Sequence, residues 1–522
     1  MLTNQRAIIQ LIILNVLIAG AGFGKDILLA AYLGTGAAAA SFSVAYYLPD
    51  TLGNGMIGSA LLIATTTVFS SLQRNYPTKE MNRFACRLLW VVGGSALALS
   101  LFTLFFAGPI MRVLVGQVSY LSMAEDLLVI LIPLLFIYPL QYVLSGFLQS
   151  YRRFLLSSAT PVLVSLAAGA ATVVLMVRNV PAPQGVFTVA ALLSLIVFLY
   201  VLVLWGYWRQ VMKRERAGVH REATVHAGHQ VYSRQLLSTF GWFLLYLAFT
   251  QMIGFVERGV AARMEVAMLA GLNYAYRVAQ VPLWIFVSAV TTWILPSLSK
   301  SLAAGDYLTA RRTLTSGIKL SMLSAIPAEI IFVTLANPIV NVLFARGAFT
   351  ASSVLITAGI LKGYALAIVP LAVSVVLFRY FAADMKMGQA VLGAFAGAVV
   401  NIGFDVLFAR RIGPMGLGIG SAIGNGLNMT MLIFILLRSG RWHGLSLRSG
   451  ARYLTKLLIP ALFTTLASAG VLALWEGRLS RQPFLDRAGW LLVTLAVWGI
   501  GYLALLFKAR LVKFARGKVT MT

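Results

Sequence analysis

The strongest constraint on this chain is the recurrence of apolar runs long enough to span a bilayer, which takes about 20 residues as a helix. Fourteen are centred near 7–34, 42–72, 85–108, 125–150, 155–177, 185–207, 236–256, 267–297, 314–344, 353–380, 387–409, 415–437, 453–475 and 488–507. Lipid offers the backbone no hydrogen-bond partners, so chain built from such runs is confined to helices. Only 11% of the 522 residues are charged, against about 25% in soluble domains. The mean hydropathy is +0.87. The expected fold is therefore an all-α integral membrane protein of fourteen transmembrane helices. Met1–Arg6 followed by an apolar run mimics a signal peptide, but the many later runs make it an uncleaved first helix.

The 42 Lys and Arg exceed the 15 Asp and Glu, giving a formal charge of +27. On a soluble chain such an excess points to nucleic acid, yet no groove-reading module is present. Here the cations fall in the gaps. Numbered from the N-terminus, one alternating set of ends and gaps holds 28 of them and the other holds 10. Four lie within runs: Lys25, Arg277, Lys319 and Lys362. By the positive-inside rule the richer set, with both termini, is cytoplasmic. The longest inside gap, 209–235, contains His220, His226 and His229 without Cys or a nearby acidic cluster. It reads as a solvated linker rather than a metal site. Cys86 is alone, which excludes an intramolecular disulfide, and reads as a buried thiol. The chain is expected to be a monomer that meets membrane lipids and no nucleic acid.

An internal repeat crosses that linker. "GFGKD" (22–26) matches "GFVER" (254–258), "AYYLP" (45–49) matches "AYRVAQVP" (275–282), and "AGPIMRVLV" (107–115) matches "ANPIVNVLF" (336–344). A six-helix unit is implied. Six is even, so both copies share one orientation, as in transporters with parallel repeats and a site between the halves. The expected organisation is a first lobe at 1–208, a basic linker at 209–235, a second lobe at 236–440, and two added helices with a basic tail at 441–522.

Charges inside membrane spans are candidate functional groups. They are Lys25, Asp26 and Asp50 in the first half, and Glu257, Arg258, Arg277, Lys319, Glu329, Lys362 and Asp405 in the second. Each either lines a cavity or is neutralised locally. Arg277 favours the cavity reading: it sits deep in its run, five residues before Pro282, with no acid within one turn. Asn401 and Asp405 are spaced i, i+4 and share a face, and Ser421 is on the next helix. Their oxygens suit sodium, and a salt bridge from Asp405 to Lys362 explains the same residues. "GAFAG" (393–397) and "GIGSAIGNG" (418–426) carry Gly-x-x-x-Gly, which permits close helix packing. No nucleotide-binding loop, zinc motif or catalytic constellation is present, so no enzyme activity and no cofactor are expected beyond a monovalent coupling cation.

"GFGKDILLAAYLG" (22–34), "YYLPD" (46–50), "ILPSLSK" (294–300) and "LFARGAFTA" (343–351) together resemble the MurJ/MviN family. These are bacterial flippases of lipid-linked peptidoglycan precursors, grouped with MATE and polysaccharide exporters in the MOP superfamily. The resemblance covers most of the chain. It implies two six-helix lobes around a cationic cavity, a groove beside helices 13 and 14 for the lipid tail, alternating access, and a bacterial inner-membrane location. It places Lys25 where the family has Arg in its "GF-x-RD" motif, with Asp26 as its Asp, and retains the helix-8 Arg as Arg277. With Arg258 from the repeat, these are the expected substrate-binding residues. Ala40 stands where the family often has Asp, Gly53 and Asn54 where it often has an Arg pair, and Ala19 where it has Arg. These departures bear on cargo more than on fold. The expected function is translocation of undecaprenyl-diphosphate-linked lipid II to the outer leaflet. The rivals are an exporter of an undecaprenyl-linked capsule or exopolysaccharide unit and, from other classes, a membrane glycosyl-ligase or a non-transporting scaffold.

Overall fold

The computed structural model describes residues 2–75, 78–151, 153–157, 159–218, 229–384, 386–439, 447–473, 484–508, 512–515 and 518–521. His220, His226 and the side chain of His229, named above in the linker, lie outside the described residues, as do Arg478 and Arg481. The described chain is helical apart from a short antiparallel pair, Val512–Ala515 with Lys518–Met521. Ten helices among the described residues are long and apolar enough to cross a membrane, and one bent pair makes an eleventh. The other three expected runs, 7–34, 267–297 and 453–475, fall on helix Leu2–Leu33, on helices Val266–Pro282 and Ser288–Ala303 with the turn between them, and on helix Leu447–Ala473.

The chain divides into two compact units, Met1–Ala270 with Arg346–Phe349, and Gly271–Ala345 with Thr350–Thr522. The first contains α1 (Leu2–Leu33), α2 (Ala37–Pro49), α3 (Ser59–Asn75), α4 (Thr78–Phe105), α5 (Ala107–Val115), α6 (Leu121–Leu131), α7 (Pro133–Ser150), α8 (Phe154–Ser157), α9 (Thr160–Val177), α10 (Ala182–Gly218) and α11 (His229–Ala262). Between α2 and α3 the chain runs as a π-helix over Asp50–Gly58. Pro49 has no N–H to give and its ring crowds the preceding turn, so a register shift beginning there has a local cause. The unit's main core joins α3, α4, α7 and α10 through Phe69, Phe84, Phe147 and Trp208, with Phe147 edge-on to Phe69 at 4.9 Å and to Trp208 at 5.7 Å. Cys86 is half-buried against this core rather than fully buried, and is a free thiol.

The first unit extends past the boundary expected at residue 236 because α11 packs on α3, α5 and the π turn. A Cβ at Gly259 would lie 2.8 Å from the Leu114 carbonyl. The "GFVER" copy of the repeat therefore belongs to the same unit as "GFGKD". The "LFARGAFTA" motif has a local explanation too. Gly34 and Gly347 both take positive φ (61° and 57°), and Ala348 N–H donates to the Ala31 carbonyl at 2.8 Å. A side chain at either glycine would collide with the other strand of this contact.

The second unit contains most of α12 (Val266–Pro282), then a π turn at Leu283–Val287, α13 (Ser288–Ala303), α14 (Tyr307–Thr334), α15 (Ala336–Phe344), α16 (Ala351–Ala365), α17 (Ile368–Ala383), α18 (Met387–Phe404), a π turn at Asp405–Ala409, α19 (Arg410–Ile412), α20 (Pro414–Arg438), α21 (Leu447–Ala473) and α22 (Phe484–Lys508). The repeat is visible in these elements. The 28-residue α4 and α14 are each followed by a nine-residue helix, α5 or α15. The residues at these junctions, Phe106 and Leu335, have nearly the same backbone angles (φ −107°, ψ 17° and φ −103°, ψ 17°). The glycine motifs pack as their spacing predicts: a Cβ at Gly418 would lie 2.6 Å from the Gly363 Cα, and one at Gly397 2.6 Å from the Gly424 carbonyl. The last two helices join α14 through Leu457, Ala461, Trp498, Tyr502 and Ile326. Arg487 donates to Asn341 Oδ1 at 2.8 Å, and Tyr453 OH to the Lys319 carbonyl at 3.0 Å. Trp90, Phe102 and Phe105 on α4 are exposed, as expected of a helix whose outer face meets lipid.

Candidate functional site

In the first unit the predicted residues fall into two places. Lys25 and Asp26 are on α1, about two turns before its end. Lys25 Nζ donates to Asp26 Oδ1 at 2.5 Å, with side chains 16% and 11% exposed. The pair is close to neutral as a whole. An ammonium has three N–H donors, and one is directed at Asp26, which fixes where the others point.

Arg258 lies on α11 among residues of α2. It is 6% exposed, its guanidinium carbon is 3.4 Å from the centroid of the Tyr47 ring, and Nη1 donates to the Gly254 carbonyl at 3.1 Å. Phe255 meets the same ring edge-on at 5.0 Å. Gly254 permits this: a Cβ there would meet Tyr47 and lie 3.2 Å from Arg258 Nη1. Its neighbour Glu257 is 3% exposed. The geometry joins α11 to α2 by a cation–π stack.

A further polar cluster surrounds the π turn. Asp50 Oδ1 accepts from Asn54 Nδ2 at 2.8 Å and from Tyr46 OH at 3.4 Å. Asn54 Oδ1 accepts from Tyr142 OH on α7, and its carbonyl accepts from Ser59 Oγ at 3.2 Å. Gly53 lies against the Tyr138 ring (3.2 Å to an ideal Cβ), Gly58 against Tyr142, and Gly55 against Gln251 Nε2 (2.8 Å). Three glycines on one widened turn thus admit two tyrosines and an amide. Asp50 alone of this group carries a charge. Gly53, Gly55 and Gly58 after Pro49, inside an apolar run, are the sequence signal for the rest.

In the second unit Arg277 is half-buried on α12, five residues before Pro282 and the Leu283–Val287 turn. Asn401, Asp405 and Ser421 do come together. Asn401 and Asp405 are fully buried and Ser421 is 8% exposed. Asn401 Nδ2 donates to Ser421 Oγ at 3.2 Å, which leaves Asn401 Oδ1 buried without a hydrogen-bond partner. Gly420 lets them approach α20 closely: a Cβ there would lie 2.9 Å from Asp405 Cγ and 3.2 Å from Asn401 Oδ1. These are hard oxygen donors held close together, a set that suits a small hard cation. The alternative reading pairs Asp405 with Lys362 on α16. Gly359 and Gly363 are the residues that α16 turns toward α20, and Lys362 is one residue, about 100° around the helix, from that face.

Two other in-span charges have local roles. Glu329 Oε2 accepts from the Val369 N–H at 3.1 Å, satisfying one of the exposed backbone donors at the start of α17, where the α16–α17 pair bends by 44°. Lys319 Nζ lies 5.2 Å from the centroid of the Tyr453 ring.

A model of the family described as "Lipid II flippase MurJ" matches residues 29–486. The chain is 23% identical to the probable lipid II flippase MurJ of Haemophilus influenzae, covering 94% of this chain and 96% of that protein. It is 22% identical to the probable lipid II flippase MurJ of Rickettsia prowazekii, over 63% of this chain and 62% of that protein. Among solved structures, a lipid II flippase MurJ in an inward closed conformation is similar at TM-score 0.74 and 18% identity, covering 96% and 99% of the two chains. An inward-facing multidrug resistance MATE transporter of the MOP superfamily shares the fold at TM-score 0.65 and 13% identity, covering 84% and 100%.

Proposed function

Because the chain belongs to the MurJ family, we propose that it carries undecaprenyl-diphosphate-linked lipid II from the inner to the outer leaflet of the bacterial cytoplasmic membrane. The observation that carries this reading is the family match across residues 29–486. The protein acts as a transporter by alternating access, not as an enzyme, and works as a monomer with fourteen spans and both termini in the cytoplasm. The 28-to-10 division of cations between the two sets of gaps supports that orientation.

The diphosphate of the cargo must leave water, and its charge needs donors in exchange. Arg277 offers a planar set of N–H groups suited to phosphate oxygens. Lys25 offers the ammonium donors not directed at Asp26, and Asp26 acts as a positioning residue that holds the ammonium in place. Arg258 is assigned a positioning role through Tyr47, since its guanidinium is already stacked there. Asn401 Oδ1, Asp405 and Ser421 would hold a monovalent cation such as sodium. The charge of that ion would let a gradient or the membrane potential bias the cycle, at about 2.3 kcal/mol per charge per 100 mV.

A second reading, export of an undecaprenyl-linked capsule or exopolysaccharide unit, is favoured by one observation. The turn where the family often carries an Arg pair holds Gly53 and Asn54, with Asn54 bonded to a carboxylate. Depletion of a host's own lipid II flippase separates the two. Supplying this chain is expected to restore growth and outer-leaflet lipid II. Failure of both, with normal membrane insertion, sinks the lipid II reading and leaves the polysaccharide one.

A further inference from the structure

We infer that the π turn Asp50–Gly58 and the face of α7 beside it form a recognition subsite for the sugar of the cargo. The site comprises Asp50, Asn54, Tyr46 and Tyr142, and it is distinct in chemistry from the cationic groups that meet the diphosphate. The inference rests on the lipid-linked cargo proposed above.

Four observations carry it. First, Asp50, Asn54, Tyr46 and Tyr142 are all half-buried, so each keeps part of its surface accessible while fixed by its neighbours. Second, their hydrogen bonds form one chain, from Tyr142 OH to Asn54 Oδ1, and from Asn54 Nδ2 and Tyr46 OH to Asp50 Oδ1. Asp50 is thus held by neutral donors on one oxygen, and among the described residues no cation pairs with it. Third, an ionised carboxylate only accepts hydrogen bonds, and several of its lone pairs remain available here. Phosphate has no proton to offer and would be repelled by the like charge. Sugar hydroxyls donate and accept, and so match a carboxylate flanked by an amide and phenols. Fourth, Tyr46 and Tyr142 add phenol hydroxyls beside the carboxylate, while Gln251 adds an amide at Gly55. The π turn makes the arrangement possible. Its wider winding brings Asp50 and Asn54 to one side, and its glycines let the α7 tyrosines approach. Single π turns inside α-helices are frequent at functional sites.

Binding to the full-length protein in nanodiscs tests this with three probes: undecaprenyl diphosphate, undecaprenyl-diphosphate-N-acetylglucosamine and lipid II. Asp50→Asn is expected to weaken both sugar-bearing lipids about tenfold, the loss of a charge-assisted hydrogen bond. Bare undecaprenyl diphosphate should stay within about twofold, since Asp50 makes no contact with it in this account. Tyr46→Phe, which removes one hydroxyl, is expected to give a smaller loss with the same selectivity. It carries the test if Asp50→Asn does not fold. Equal losses on all three lipids overturn the subsite and make the cluster structural. A loss that follows sodium or pH rather than the sugar makes it a cation or proton site and also overturns it. Unchanged binding of all three lipids overturns the subsite alone. A wild-type protein that binds none of them overturns the function proposed above together with the subsite.

Discussion

Pro49 and Pro282 occupy matching places in the repeat, and each ends an α-helix and opens a π turn. The turns then differ. The one after Pro49 runs nine residues, "DTLGNGMIG", and is polar and glycine-rich; the one after Pro282 runs five, "LWIFV", and is apolar. In the first half the polar groups are on and beside the turn, at Tyr46, Asp50 and Asn54. In the second half the turn is packing, with Leu283 and Val287 joined to Ala325, Ala365 and Ile368, and the charge stands earlier, at Arg277. A shared backbone distortion has thus been kept while its side chains diverged. The distortion is a scaffold, and the chemistry is set residue by residue on it.

The largest expected effect breaks the second half. Arg277→Ala should lower transport of lipid II by about 100-fold in proteoliposomes, the upper range for losing a bidentate phosphate contact, while the folded protein is recovered in normal yield. Next, Asp405→Asn should lower sodium stimulation of transport about tenfold, if the buried oxygens beside Gly420 bind the ion. Gly420→Ala asks whether that close approach is needed at all. Its methyl group would crowd Asp405, lowering stability by about 1–3 kcal/mol as read by thermal unfolding. Leu283→Ala tests the contrast itself: it should reduce stability by about 1–2 kcal/mol through lost packing, yet leave the ratio of sugar-bearing to bare lipid binding unchanged. A shift in that ratio would mean that the second turn also recognises cargo. The smallest effect is Arg258→Lys, which loses the planar stack on Tyr47 and about 0.5–1 kcal/mol, with transport retained.

Much of the fold was legible in the sequence because apolar length is a direct consequence of the bilayer. The repeat was legible as well: the match of "AGPIMRVLV" to "ANPIVNVLF" became two nine-residue helices with the same entry angles. The grouping of Asn401, Asp405 and Ser421 followed from helical periodicity. What stayed hidden depends on tertiary approach. The packing of α11 on α3 and α5 past residue 236, with close contact to Leu114 at Gly259, has no signal in the sequence. The stack of Arg258 on Tyr47 was hidden as well, because that ring is more than two hundred residues away in sequence. Asn54 stood out in the sequence only as a departure from the family's Arg pair, Tyr142 and Gln251 are uncharged and distant in sequence, and the π turn is what gathers them.

The most direct test of the account is transport by the purified chain in proteoliposomes carrying fluorescent lipid II in one leaflet. The account predicts that lipid II becomes accessible in the opposite leaflet with the wild-type chain and does not with Arg277→Ala. Lipid II that stays in its original leaflet with correctly inserted wild-type protein, or that moves equally with Arg277→Ala, would contradict it.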